Sequence, residues 1–163
     1  QYPGVDGVAR YSERIFVGYR HYDARGIAPL FPFGHGLSYT RFAYRHLVIT
    51  SRKPSAGALS PAVTVDLEVR NMGHVAGAEV VQLYVGLPST AAAPQPPRQL
   101  KGFQKVRLQP GARARVRFTL DVRALSYWDV ADHHWTVAPG PYQIFAGSSS
   151  RDIRLAGTTR PNR

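Results

Sequence analysis

Cysteine is absent from the 163-residue chain, which excludes disulfides and thiolate metal sites. The absence fits a reducing compartment without assigning one, because many exported bacterial proteins also lack cysteine. No apolar run approaches the ~20 residues a membrane-spanning helix requires, and no basic-then-apolar signal segment is present. Cytoplasm and export therefore both stay open. Methionine occurs once, at Met72, and the chain begins QYPGVDG, so it is expected to be a processed or truncated piece of a longer product. Lysine is confined to Lys53, Lys101 and Lys105, and acidic residues number ten.

What remains is rich in turn formers and rings: 13 prolines, 15 glycines, nine Tyr and seven Phe in a chain that is 44% hydrophobic. That composition supplies a core and leans toward a turn-rich β architecture. The length suits one ordinary domain with an appendage, or two very small ones. The net charge of +11 raises the possibility of a nucleic-acid surface. Its distribution argues against one, because the arginines are scattered and no basic block interleaves with aromatics.

From Ala62 onward the pattern is a succession of strands. AVTVDLEVRN puts Val63, Val65, Leu67 and Val69 on one face and Asp66, Glu68 and Arg70 on the other. GAEVVQLYVGL (Gly77 to Leu87) is apolar on both faces, as in an interior strand. The prolines of PSTAAAPQPPRQ demand a surface loop. In LKGFQKVRL the alternation slips between Phe103 and Val106, which predicts a bulge there. ARARVRFTL alternates again after a Gln109-Pro110-Gly111 turn, and DVRALSYWD predicts one helical turn capped by Asp121. With YRHLVIT, two short strands around the Pro-Gly turn of HHWTVAPGPYQIFAGSSS, and IRLAGTT, the total is seven or eight strands. The expected fold is all-β, an immunoglobulin- or fibronectin-like two-sheet sandwich.

Residues 1–42 differ from this. Ser12 is placed to cap a helical turn from Arg14 to Tyr19, and PLFPFGHGLSYT (Pro29 to Thr40) then crowds rings and glycines into one loop. Neither chemistry the loop suggests is supported. A phosphate loop wants a nearby lysine feeding a helix, and a nucleophile turn at Ser38 wants G-x-S-x-G, whereas the order here is G-x-G-x-S. The loop reads as a clasp in which Gly34 and Gly36 turn the chain and Phe31, Phe33 and Tyr39 anchor it. Some of those rings are expected to stay exposed.

No other constellation forms a site. His133 and His134 are adjacent in a strand and point to opposite faces, so they cannot readily share a metal ion. Asp66 and Glu68 share a face, but it is the solvent face, unsuited to paired-carboxylate chemistry. Tyr127, Trp128 and Trp135 form either core or corner packing, or a sugar-stacking platform if exposed and coplanar. Catalytic, cofactor and metal residues are therefore all expected to be none, with no nucleic-acid or membrane partner.

YSERIFVGYRHYDARGIAPLFPFGHGLSYTRFAY, NMGHVAGAEVVQLYV, PPRQLKGFQKVRLQPG, LSYWD and APGPYQIFAGSSSRDIRL, in that order, resemble the C-terminal end of bacterial family 3 glycoside hydrolases. These are the β-glucosidases that end in a fibronectin type III-like domain. The resemblance covers about Tyr2 to Leu155. It implies a tail of an α/β domain with its connection over 1–42, a fibronectin type III-like domain over 43–158 and a short tail over 159–163. It also implies a parent that hydrolyses terminal β-D-glucosyl groups with retention, through an aspartate and a glutamate that match no position here. The implied role is a non-catalytic module that stabilises the catalytic domains or helps them form a homodimer. Arg14 stands where the family pattern has glycine after Glu13.

Overall fold

Period-two alternation dictates the first sheet. In the computed structural model, which describes residues 4–52 and 63–160, Val63–Asn71 forms strand β2 with every odd-numbered residue buried and every even one half-exposed. Ala62 and residues 161–163 of the expected tail lie outside the described residues. Strand β1 (Phe42–Ser51) pairs antiparallel with one side of β2, and β5 (Arg113–Leu120) with the other. The β5 register places Val116 opposite Leu67 and Phe118 opposite Val65, so one face is continuous hydrocarbon. The other face carries charge pairs across the ladder, Arg117 with Asp66 at 2.7 Å and Arg113 with Glu68 at 3.7 Å.

The second sheet has the order β4-β3-β8-β9: β4 Gln99–Leu108, β3 Gly77–Gly86, β8 Tyr142–Gly147 and β9 Ile153–Thr159. The two sheets close over a core that includes Val65, Val69, Leu83, Val116, Ile144 and Leu125, all buried. Each such side chain contributes about 1.5–3 kcal/mol through removal from water. The expected all-β two-sheet sandwich is what forms. A third, two-stranded piece, β6 (Ser126–Asp129) with β7 (His134–Val137), stands beyond the main sheets and brings the strands to nine among the described residues. The Pro-Gly turn separates β7 from β8, but those strands do not pair with each other: β7 pairs with β6, and β8 lies between β3 and β9.

Four local expectations are corrected. The β4 bulge falls at Lys101, where Leu83 pairs with Gly102 and Tyr84 with Leu100. Phe103 is simply an outward-facing ring, and Gly102 faces inward because a Cβ there would press on the Phe118 ring at 2.9 Å. Strand β3 is buried on both faces only from Val81; Ala78 and Val80 face solvent. The N-terminal helix is α1, Tyr19–Arg25, rather than a turn over 14–19. Arg14 (φ 52°) and Gly18 (φ 55°) have positive φ and interrupt any helix before Tyr19, and Gly26 (φ 65°) ends α1 as a left-handed cap. In the loop, only Gly34 has positive φ (81°); Gly36 does not.

The turn capped by Asp121 does form, as a 3-10 turn over Arg123–Leu125 with Asp121 Oδ1 accepting from the Ala124 N–H at 2.7 Å. Arg14 occupies the positive-φ backbone region that glycine adopts without strain.

Candidate functional site

Residues 19–34 lie against the second sheet, and polar side chains fix them there. Tyr19, the first residue of α1, stacks on Phe33 with ring centroids 4.5 Å apart and meets Tyr84 edge-on at 6.1 Å. Its hydroxyl oxygen accepts from the Leu100 N–H at 2.8 Å. Asp23, with a side chain only 2% exposed, receives Arg151 Nε at 2.6 Å and faces Arg98 Nε at 3.8 Å. Arg151 also donates to Ile27 O (2.9 Å) and Tyr22 O (3.3 Å), holding the end of the helix.

The loop after α1 is fastened in the same way. Ser150 N–H donates to Phe33 O at 2.8 Å, and Gln82 Nε2 donates to Gly34 O at 3.1 Å and Ser148 O at 2.5 Å. Tyr84 Oη donates back to Gln82 Oε1. A side chain at residue 34 would collide with the Gln82 amide, so the close approach as well as the positive φ requires glycine. Of the expected anchors only Phe33 serves in this way. Phe31 lies over His35 at 5.6 Å and is mostly exposed, and Tyr39 is fully exposed. Leu30 and Leu37 are exposed beside them.

Where the loop enters β1, Asn71 joins it to the sandwich. Asn71 Oδ1 accepts from Thr40 Oγ1 (2.6 Å) and the Gly73 N–H (3.0 Å), while Nδ2 donates to Val75 O (2.8 Å) and Leu108 O (3.1 Å).

A small titratable cluster lies nearby. Tyr44 Oη donates to Glu79 Oε1 at 2.8 Å. Burial raises the Glu79 carboxyl above its ordinary 4.5, against the opposing pull of the Tyr44 hydrogen bond and Arg154. Burial, then Glu79, also raises the Tyr44 phenol. Asp152 is held below its ordinary 3.8, chiefly by its hydrogen bonds from Arg154. A raised carboxyl stabilises the fold below its unfolded value and loses that contribution as pH rises through its folded value; a lowered one does the reverse. Glu79→Gln keeps an acceptor for Tyr44, so its melting temperature should pull ahead of the parent as pH rises above 4.5. Parallel melting curves across pH would contradict this.

A cavity of about 1010 Å³ lies between Ile15 and Phe16, the β4 bulge and the β6–β7 hairpin. Trp128 (45% exposed) and Trp135 (42%) line it, 5.6 Å apart and inclined at 63°. They are neither core residues nor a coplanar platform. The Arg123 guanidinium lies 3.4 Å from the Trp135 ring centroid. Asp121 and Asp129 line the same groove, although they are eight positions apart in sequence. Both accept backbone N–H groups: Asp121 from Ala124, and Asp129 from Ala131 at 3.0 Å. Their only trace in the sequence was the capping position of Asp121. Asp66 and Glu68 are ion-paired on the outer face as described. His133 sits at the hairpin tip with φ 52°. Among the described residues no group of three His, Cys, Asp or Glu side chains could hold a metal ion.

Residues 79–150 match the fibronectin type III-like domain family. Over 94% of its length the chain is 49% identical to a probable β-glucosidase L of Neosartorya fischeri. Over 99% it is 45% identical to the thermostable β-glucosidase B of Acetivibrio thermocellus. Among solved structures, a β-glucosidase from Chaetomella raphigera superposes with a TM-score of 0.90 at 43% identity, covering 97% of this chain and 24% of that one. A GH3 β-glucosidase from Bifidobacterium adolescentis gives 0.88 at 40%, covering 98% and 23%. The chain belongs to the family 3 glycoside hydrolases, as their C-terminal segment. This family 3 segment spans about a fifth of the length of the curated relatives it matches, 22% and 21% of the two named. Those relatives are fungal as well as bacterial, so the resemblance extends beyond bacteria.

Proposed function

We propose that this segment is a non-catalytic module that packs against, and stabilises, the catalytic domains of a family 3 β-glucosidase hydrolysing terminal β-D-glucosyl groups. In this reading residues 1–42 finish the preceding α/β domain, 43–158 are the fibronectin type III-like module and 159–163 are a tail. One observation carries it. Among the described residues, twelve of the twenty exposed large hydrophobic side chains fall between Val5 and Tyr39. That stretch is clasped firmly to the sandwich on one side and presents Leu30, Phe31, Leu37 and Tyr39 to solvent on the other, the signature of a surface meant to be covered.

The isolated chain is expected to leave an aryl β-glucoside intact. Added to the catalytic portion of the Acetivibrio relative lacking its own matching segment, it should raise that portion's melting temperature, and Leu37→Asp with Tyr39→Asp should cancel the gain. Turnover by the chain alone, abolished by a single Asp or Glu change, would overturn the reading. Self-association through this face is the competing partner, and a homodimer that dissociates in the same double variant would replace it.

A further inference from the structure

Lys101 is the residue that the scaffold reading leaves unused. It is the unmatched residue of the β4 bulge, half-buried in the wall of the large groove. Bulges commonly re-aim a side chain toward a site. Among the described residues its ammonium has no hydrogen bond and no carboxylate within ion-pair distance, and Arg20 lines the groove with it. Burial and Arg20 both lower the Lys101 pKa, and Asp121 offsets them least. Four cations line the groove, Arg14, Arg20, Lys101 and Arg123, against two carboxylates, Asp121 and Asp129, that already accept backbone N–H groups, so positive charge is in excess there. The same groove offers half-exposed indoles at Trp128 and Trp135, and its volume of about 1010 Å³ gives room for several linked rings.

We propose that this groove binds an acidic oligosaccharide, with a sugar carboxylate seated at Lys101 and Arg20 and a pyranose ring against the half-exposed Trp128 indole. The carboxylate offsets the excess of cations around Lys101 and Arg20. The Trp128 indole supplies an apolar face for the sugar's C–H side. The net charge of +11 raises the local concentration of such a ligand. Of the twelve exposed hydrophobics only Ile15 also lines this groove; Leu30, Phe31, Leu37 and Tyr39 do not, so variants at Leu37 and Tyr39 test the scaffold reading without touching the saccharide site.

Trp128 and Trp135 are the only tryptophans in the chain, so intrinsic fluorescence reports on this groove alone. Titration with tetragalacturonate should give a saturable change that weakens with salt, and cellotetraose should bind at least about tenfold more weakly. Lys101→Met and Arg20→Gln, checked for folding by circular dichroism, should each weaken tetragalacturonate binding about tenfold while the tryptophan signal persists. No saturable change up to about 1 mM, equal affinity for the neutral sugar, or binding unaltered in both variants overturns the proposal. If the fluorescence responds only to the catalytic portion of the relative, the groove is a polypeptide dock; the saccharide proposal is then overturned and the scaffold reading stands.

Discussion

Asn71→Ala is expected to destabilise the fold by about 3 kcal/mol, because four hydrogen bonds of a fully buried amide, one buried and three part-buried, are lost at once. Asn71 is fully buried, and its amide joins the turn after β2, the end of β4 and the incoming loop through Gly73, Val75, Leu108 and Thr40. Alanine leaves the Gly73 N–H and two carbonyls without partners and opens a small void. For a chain of this size the loss corresponds to a fall in melting temperature of about 10 °C. Asn71→Asp separates the causes. It keeps the volume and the acceptor toward Thr40 but points a carboxylate oxygen at Val75 O and Leu108 O. It should cost a comparable amount if hydrogen bonding dominates, and little if the void dominates. Urea unfolding with an unchanged m-value is the measurement, and a loss for alanine below about 1 kcal/mol would show that the turn assembles without the amide.

Asp23→Asn is expected to act on the clasp and spare the sandwich. Removing one member of a buried ion pair leaves the other charge uncompensated and costs up to about 3–5 kcal/mol when both are buried. Here Arg98 and Arg151 keep some access to water, at 24% and 35% side-chain exposure, so about 2 kcal/mol is the reasonable scale. That is roughly a thirtyfold loss of hydrogen-exchange protection. It should appear at Leu100 and Ser150, whose N–H groups are bound by Tyr19 and Phe33 of the clasped segment. The amides of β2, at the centre of the other sheet, should keep theirs. Uniform loss throughout the chain would mean that clasp and sandwich unfold as one unit; no loss would mean that ring stacking holds the clasp without Asp23.

How much of this was readable from the chain differs by element. β2 and β5 were legible because one face of each is buried and the other wet, so the side-chain period writes itself into the sequence. β4 misled because Phe103 is an exposed ring and Gly102 an inward residue, the reverse of what hydrophobicity implies. α1 was displaced because a helix over 14–19 looked possible in composition, while the backbone at Arg14 and Gly18 has positive φ. The groove was not legible at all. Ile15, Lys101, Asp121 and Trp135 meet only after three separate segments are folded against one another.

The sequence alone determined the sheet-forming segments, the absence of disulfides and of a long apolar helix, and the family, because these depend on local pattern and ordered motifs. Tertiary structure alone decided where Asn71, Asp23 and Gln82 find their partners, which rings of the Pro29–Thr40 loop anchor and which face solvent, and that among the described residues Lys101 has no carboxylate within ion-pair distance. Those are questions of distance between residues remote in sequence. Burial and pairing energies depend on such distances, and no local period encodes them.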